Sequence, residues 1–376
     1  MKFSFIGDIC LARQINTKHK ATNYDVVSNE VQNFFKERDC VIANLEAPIC
    51  NEATTDGDHL SFKGSFQLLK QFGFVDYFSL SNNHINDCGS LGMDETIECL
   101  DKLSIGHNGI YKNNYEPIII NDKEQKIVII TCTDMINIPF SKENEYKILR
   151  IDDDYLDLII EEYRKDGCFI ILYAHVGILF SRFINPQIRN FIHKKIDKGV
   201  DLVVTAHSHC VGGHELYKGK NIFYSLGDFV MDGGSYRRRQ SIVLNVDIED
   251  SSVKSFDIKP IITNLDLETV FPNIKTQNKI INSWNFVSSM IVKNSSSYEK
   301  FFKFQYKKEM IFHSMSTLSF LYKTKGIRGL IKMIIKRYEE VLRMMMWLSK
   351  DRSKDRRDDE AIKKDRKKFS EDELFK

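Results

Sequence analysis

Between residues 2 and 248 the sequence repeats one pattern: a short run rich in Ile, Val, Phe and Tyr that ends abruptly in an acidic residue, an amide or a histidine. Apolar runs of about four to eight residues bounded by polar turns read as strands. They fall near 2–6, 40–45, 76–80, 126–132, 168–174, 200–205, 221–225 and 241–248. Helical periodicity separates them, as in Phe66, Leu69, Lys70 and Phe72 before the third run and from Met93 to Leu103 after it. Strands alternating with helices build an α/β domain, and 376 residues are enough for one large domain or two of ordinary size.

The run ends carry the functional information. The first closes with Ile6-Gly7-Asp8, the second with Ala43-Asn44-Leu45-Glu46 and the third with Leu80-Ser81-Asn82-Asn83-His84. Later runs close with Tyr173-Ala174-His175, Thr205-Ala206-His207 and Leu226-Gly227-Asp228. In α/β sheets the loops at the carboxyl ends of strands converge while the sheet holds them rigid, so ligand sites assemble there. Six such exits with metal-ligating or proton-transferring side chains predict one shared site. Imidazole, carboxylate and amide oxygen together suit Mn, Fe or Zn.

Composition narrows the partners. A formal charge of +2 argues by itself neither for nor against nucleic acid, so any basic effect must be local, and nucleic acid is not among the expected partners. The eight cysteines form no C-x-x-C pair and several sit inside apolar runs, so they read as reduced, packed thiols rather than a zinc knot or a disulfide framework. Met1-Lys2 leads straight into Phe3-Ser4-Phe5-Ile6, too short for a signal segment, and no apolar run reaches the roughly 18 residues of a spanning helix. The expected compartment is the cytoplasm.

After about residue 262 the patterns become long and helical, at 276–292, 297–321 and 327–348. The expected organisation is a main domain over 1–262, a helical C-terminal region over 263–349 and a charged, disordered tail over 350–376. In 327–348 an apolar stripe that includes Ile327, Leu330, Ile334 and Tyr338 lies opposite Lys332, Lys336, Arg337 and Arg343. Packing on the main domain is the favoured reading of that stripe; peripheral attachment to a membrane surface is the alternative.

The ordered set Gly7-Asp8, Asn44-Leu45-Glu46, Asn82-Asn83-His84, His175-Val176-Gly177, His207-Ser208-His209 and Tyr224 to Phe229 resembles the CapA family of capsule and poly-γ-glutamate synthesis proteins. That family is a branch of the calcineurin-like metallophosphatase superfamily, and the resemblance spans roughly residues 1 to 248. It implies an α/β fold, a four-layer αββα sandwich of two mixed β-sheets, followed by the helical C-terminal region. It further implies two divalent metal ions, one held by Asp8, Glu46 and His209 and the other by Glu46, Asn83, His175 and His207, with Glu46 bridging. His84 would be the general acid or the stabiliser of a developing oxyanion. Arg13 would clamp an anionic group of the substrate, since a guanidinium grips phosphate or carboxylate with two prongs.

The chain departs from the family pattern at three places: Val176 replaces a Trp, Ser208 a Pro and Asp228 an Asn. Asp228 either adds a negative group to the site or hydrogen-bonds backbone as Asn would. Glu215 and Tyr217 match the family, whereas His214 has no counterpart and reads as packing. Asp87 and Asp94 read as serving the loop and helix start. The implied function is a dinuclear metal-dependent hydrolase, of phosphoesters first, in capsule or cell-envelope polymer biosynthesis. Its substrate would be an anionic polymer or a phosphorylated small molecule, with capsule-synthesis proteins as partners. The alternative is a non-catalytic assembly or export component. No G-x-x-x-x-G-K-[ST] loop is present, so activation of carboxylates by ATP is not expected.

Overall fold

The computed structural model describes residues 1–50, 62–122, 125–137, 140, 145–233 and 235–316; the stretch 327–348 and the tail 350–376 lie outside them. In chain order the first strands are β1 (Lys2–Ile9), β2 (Cys40–Leu45), β3 (Tyr77–Ser79), β4 (Gly106–Asn108), β5 (Ile110–Tyr111), β6 (Ile118–Asp122), β7 (Gln125–Thr133) and β8 (Lys147–Ile148). Then follow β9 (Phe169–His175), β10 (Leu202–Ala206), β11 (His214–Tyr217), β12 (Lys220–Phe223), β13 (Asp228–Val230), β14 (Gln240–Glu249), β15 (Ser252–Thr263) and β16 (Thr269–Val270).

Two mixed sheets result. One runs β16-β15-β14-β1-β2-β3-β4, with β13 added beside β1, and the other runs β11-β12-β10-β9-β7-β6. In the first, β1 to β4 are parallel while β14 to β16 are antiparallel; in the second, β7, β9, β10 and β12 are parallel with antiparallel edges. β5 and β8 form a separate two-stranded sheet.

Side-chain alternation explains the layering. Phe3 and Phe5 of β1 and Cys40 and Ile42 of β2 pack against Ile127 and Ile129 of β7 and Phe169, Ile171 and Tyr173 of β9, filling the space between the sheets. The intervening residues Ile6, Ile9, Val41, Ala43 and Leu45 face helices on one outer side. On the other side Val128, Ile130, Ile170 and Leu172 face a second helical layer. Strands with apolar residues on both faces must be covered on both, and the result is the four-layer αββα sandwich.

The helices follow from their ends and faces. α1 is Arg13–Thr22, α2 Asn29–Phe34, α3 Phe66–Leu69, α4 Gly89–Lys102, α5 Asp154–Lys165, α6 Pro186–Lys198 and α7 Ile274–Lys293. For α6, Asn185 Oδ1 accepts from the Gln187 and Ile188 amides and Pro186 occupies the first turn, where its missing N–H costs nothing. Ile188, Ile192 and Ile196 recur on its buried face, each contributing roughly 1.5–3 kcal/mol by leaving water. α7 lies against the second sheet through Val287 and Ile291, and Gly213 permits the approach: a Cβ there would meet the Ser288 amide nitrogen at 2.8 Å.

The strand expected near 126–132 runs Gln125–Thr133, and that near 241–248 runs Gln240–Glu249. β15 was not anticipated, because most of its first seven residues are exposed and show no apolar alternation; its partner β14, paired from Gln240↔Ile262 to Glu249↔Ser252, holds it in the sheet. β16 likewise falls beyond residue 262, where only helix was expected. All eight cysteines are buried and reduced. Among the described residues no helix is long and apolar enough to cross a membrane.

Candidate metal centre

All six strand exits converge at one end of the two sheets. β1 delivers Asp8 and β2 delivers Asn44 and Glu46; the loop after β3 supplies Asn82, Asn83 and His84; β9 ends on His175, and His207 and His209 follow β10. Asp8, Asn44 and Glu46 are fully buried, and His175, His207, His209 and Asn83 are each less than 8% exposed.

Gly7 and Gly227 set the closest approach in the site. A Cβ on Gly7 would lie 1.8 Å from the Gly227 carbonyl oxygen, so only glycine lets β13 come alongside β1. His207 and His209 carry φ of 95° and 55°, left-handed values that cost non-glycine residues energy and that concentrate at functional sites. Asp8 repays part of this cost, since its Oδ2 accepts from the His207 amide at 3.0 Å.

Around His175 three groups meet. Its Nε2 lies 2.7 Å from Asn83 Oδ1, 3.0 Å from His207 Nδ1 and 3.5 Å from Glu46 Oε1. Its Nδ1 lies 3.1 Å from Asn44 Nδ2, which also donates to Asp8 Oδ1 at 2.7 Å. Asn82 completes the brace by donating to Asn44 Oδ1 and the Leu45 carbonyl at 3.2 and 2.8 Å. On the other side His209 Nδ1 is 2.7 Å from Asp228 Oδ1, which leaves Nε2 facing Glu46 Oε1 at 3.8 Å. Asp228 therefore faces the site through a histidine and does not spend this oxygen on backbone.

Electrostatics sharpen the picture. Burial alone would strip the protons from His175 and His209, yet Asp8 and Glu46 push His175 up to about 10, and Asp228 and Glu46 push His209 up to about 9. Burial raises Asp8, but His175 and His209 more than offset it and hold the carboxyl below its ordinary range. Imidazolium charge thus balances the buried carboxylates here, and a cation would do the same.

Whether metal ions suit these residues turns on Glu46. Both of its carboxylate oxygens are buried without a hydrogen-bond donor among the described residues. A buried carboxylate left unsatisfied costs several kcal/mol, so the position calls for a cation. Donor atoms of Asp8, Glu46 and His209 lie within 4.8 Å of one another, and so do those of Glu46, His175 and His207. Glu46 belongs to both sets.

His84 stands beside these sets, belonging to neither. Its Nδ1 lies 2.7 Å from Asp87 Oδ2, and the Phe62 ring stacks on it with centroids 3.9 Å apart. Asp87 also accepts from the Phe62 amide at 2.7 Å, so one carboxylate fixes both the imidazole and the ring that covers it. Asp87 thus serves the site as well as the loop. Arg13 grips Asp232 with two prongs, at 3.0 and 3.2 Å, and lies over Phe62 at 5.4 Å. Asp232 occupies the two-pronged geometry expected for a substrate anion.

Two acids escaped sequence reasoning. Asp134 follows β7, accepts from the Gly177 amide at 3.0 Å and is pushed by burial up to about 6; Asp232 follows β13. The same strand-exit pattern would have found both. Glu215 proves to be a structural hub, accepting from Arg189 Nε at 2.9 Å and Tyr224 Oη at 2.6 Å. His214 packs among Phe223, Phe256 and Trp284, with Nε2 2.8 Å from Asn221 Oδ1.

Two curated relatives match the chain in sequence. It is 29% identical over 268 residues to the PGA biosynthesis protein CapA of Bacillus subtilis (strain 168), covering 69% of this chain and 70% of that one. It is 25% identical over 278 residues to the capsule biosynthesis protein CapA of Bacillus anthracis, covering 69% and 67%. Among solved structures, NAD nucleotidase of Haemophilus influenzae matches at 14% identity over 75% of this chain and 62% of that one, with a TM-score of 0.42, a distance that carries nothing about the site. A family model described as bacterial capsule synthesis protein PGA_cap matches residues 2–233, the stretch that supplies every strand exit described above. The chain belongs to that family.

Proposed function

We propose that this chain is a dinuclear metal-dependent hydrolase of phosphoesters that serves the synthesis of capsule or another envelope polymer. The observation that carries the reading is Glu46, a fully buried carboxylate with both oxygens unsatisfied among the described residues and common to two sets of donors. Asp8, Glu46 and His209 would hold one ion, and Glu46, Asn83, His175 and His207 the other. Mn, Fe and Zn suit this mixture of imidazole, carboxylate and amide oxygen. When bound, such ions supply Lewis acidity toward a substrate oxygen and acidify water.

The remaining work falls to the chain's own residues. Asn44 and Asn82 brace Asp8 and the loop after β3, so the donors are held before any ligand arrives. Asp87 Oδ2 accepts a hydrogen bond from His84 Nδ1 and fixes the ring, so Nε2, 3.1 Å from Asn137 Nδ2, is the nitrogen placed to donate a proton to the departing oxygen. Phe62, stacked on the imidazole, shields that proton from bulk water. The Bacillus relatives, named for PGA and capsule biosynthesis, support an acidic polymer or a phosphorylated precursor as the substrate.

The test is metal content and hydrolysis on one preparation. Protein incubated with Mn, Fe or Zn should retain about two ions per chain by mass spectrometry and hydrolyse an aryl phosphate, with hydrolysis lost in His84→Ala while the metal remains. Protein that retains no metal after loading would instead be a non-catalytic component of polymer assembly.

A further inference from the structure

The arginines near the metal centre are not equivalent. Arg13 is held by Asp232, while Arg182 and Arg237 share Glu309, the first at 2.7 Å. Arg238 has no such partner among the described residues. Its only side-chain donation there is to the Met231 sulfur, at 3.9 Å, and its Nε is buried without an acceptor. Asp228 is close enough for the two charges to be felt, yet no carboxylate hydrogen-bonds the guanidinium among the described residues; a half-buried guanidinium left without an acceptor is costly, and an anion completes it.

Its position is specific. Arg238 lies 4.8 Å over the ring of Phe180, which stands 6.2 Å from the ring of His209. Met231, its other contact, packs with Cys10, Ala12, Ala47 and Phe62, and Phe62 is the ring stacked on His84. One guanidinium therefore touches both the wall beside His209 and the wall beside His84. Phe180 is itself held by its amide, which donates to the Ser208 carbonyl at 2.8 Å, between the two histidines after β10.

We propose that Arg238 is the anion-recognition residue of this site, binding an oxyanion of the substrate, phosphate or carboxylate, that spans from the His209 side to the His84 side. The inference rests on the hydrolase reading for its substrate and transfers to Arg238 the role that the sequence suggested for Arg13. A guanidinium fits either oxyanion with two parallel hydrogen bonds, which a lysine cannot reproduce.

Isothermal titration of the metal-incubated full chain with inorganic phosphate, and separately with glutarate, tests it and distinguishes the two sources of oxyanion. Arg238→Gln should weaken the oxyanion that binds by about 10- to 100-fold, the scale of a charged hydrogen bond. Arg238→Lys should retain part of the affinity, and Arg239→Gln, with an unchanged melting temperature as the folding control, should match wild type. Equal affinity in Arg238→Gln and wild type overturns the inference, and so does wild type that binds neither probe. Metal analysis of the same samples separates the two claims. Affinity lost in Arg238→Gln from a metal-free protein removes the hydrolase and leaves the anion site, whereas unchanged affinity in a metal-loaded, ester-cleaving protein removes the anion site alone.

Discussion

Asp8 and Asp228 are register partners on adjacent parallel strands, each directly after a glycine, so two fully buried carboxylates stand side by side at the centre of the site. They do not share one environment. His175 and His209 hold Asp8 down, whereas burial raises Asp228 despite the His209 imidazole against it. Asp228 Oδ1 orients His209 and its Oδ2 has no hydrogen-bond partner among the described residues.

Asp228→Asn should therefore weaken metal retention without unfolding the protein. An amide still meets His209 Nδ1 but adds no charge to the imidazole, and loss of a carboxylate behind a ligating histidine typically costs about 10- to 100-fold in affinity. Competition against a chelator measures it. An unchanged affinity would mean that Asp228 does not tune His209.

Glu46→Gln should separate stability from metal binding. Replacing the carboxylate by a neutral amide removes its desolvation penalty and also its attraction to His175 and His209, whose protons it helps to hold; these opposing terms leave a change of no more than about 1 kcal/mol in the metal-free protein. The same change should abolish retention of at least one ion. Thermal denaturation with and without metal gives both numbers, and a variant that still retains two ions contradicts the assignment.

His84 and Asp87 should act as a unit. Asp87→Asn is expected to lower kcat about 10- to 100-fold at unchanged metal content and unchanged KM, since the imidazole loses the carboxylate that orients it. A purely structural Asp87 would change stability and leave kcat in place.

Acid sensitivity should trace to Glu215. Burial raises its carboxyl, but His193, Arg189 and Tyr224 together pull it from its ordinary 4.5 down to about 2. A depressed carboxyl contributes stability above its unfolded value and loses it as pH falls through the folded one, so the contribution is complete above about pH 5 and fades toward pH 2. Glu215→Ala, which leaves Arg189 unpaired, should cost roughly 3–5 kcal/mol at neutral pH and flatten the decline below pH 5. Equal acid midpoints for variant and wild type would exclude this account.

Much of the centre was legible in the chain because its parts are local. Gly7-Asp8, Asn83-His84 and His207-Ser208-His209 each sit at the end of a strand recognisable from its apolar run, and strand ends at one edge of a parallel sheet meet whatever else the fold does. Alternation along β1, β2, β7 and β9 likewise announced sheets buried on both faces. β15 escaped because its exposed, polar half has no periodicity of its own, and only pairing with β14 makes it a strand.

The sequence by itself determined which side chains the strands deliver and that they gather at one place. Only the tertiary structure decided what each is spent on: Arg13 on Asp232, His209 on Asp228 and His84 on Asp87, with Glu46 left unsatisfied among the described residues. The physical reason is separation along the chain. Arg13 and Asp232 are 219 residues apart and His175 and Asn83 are 92 apart, so each pairing is set by the packing of two sheets and is written in no local pattern.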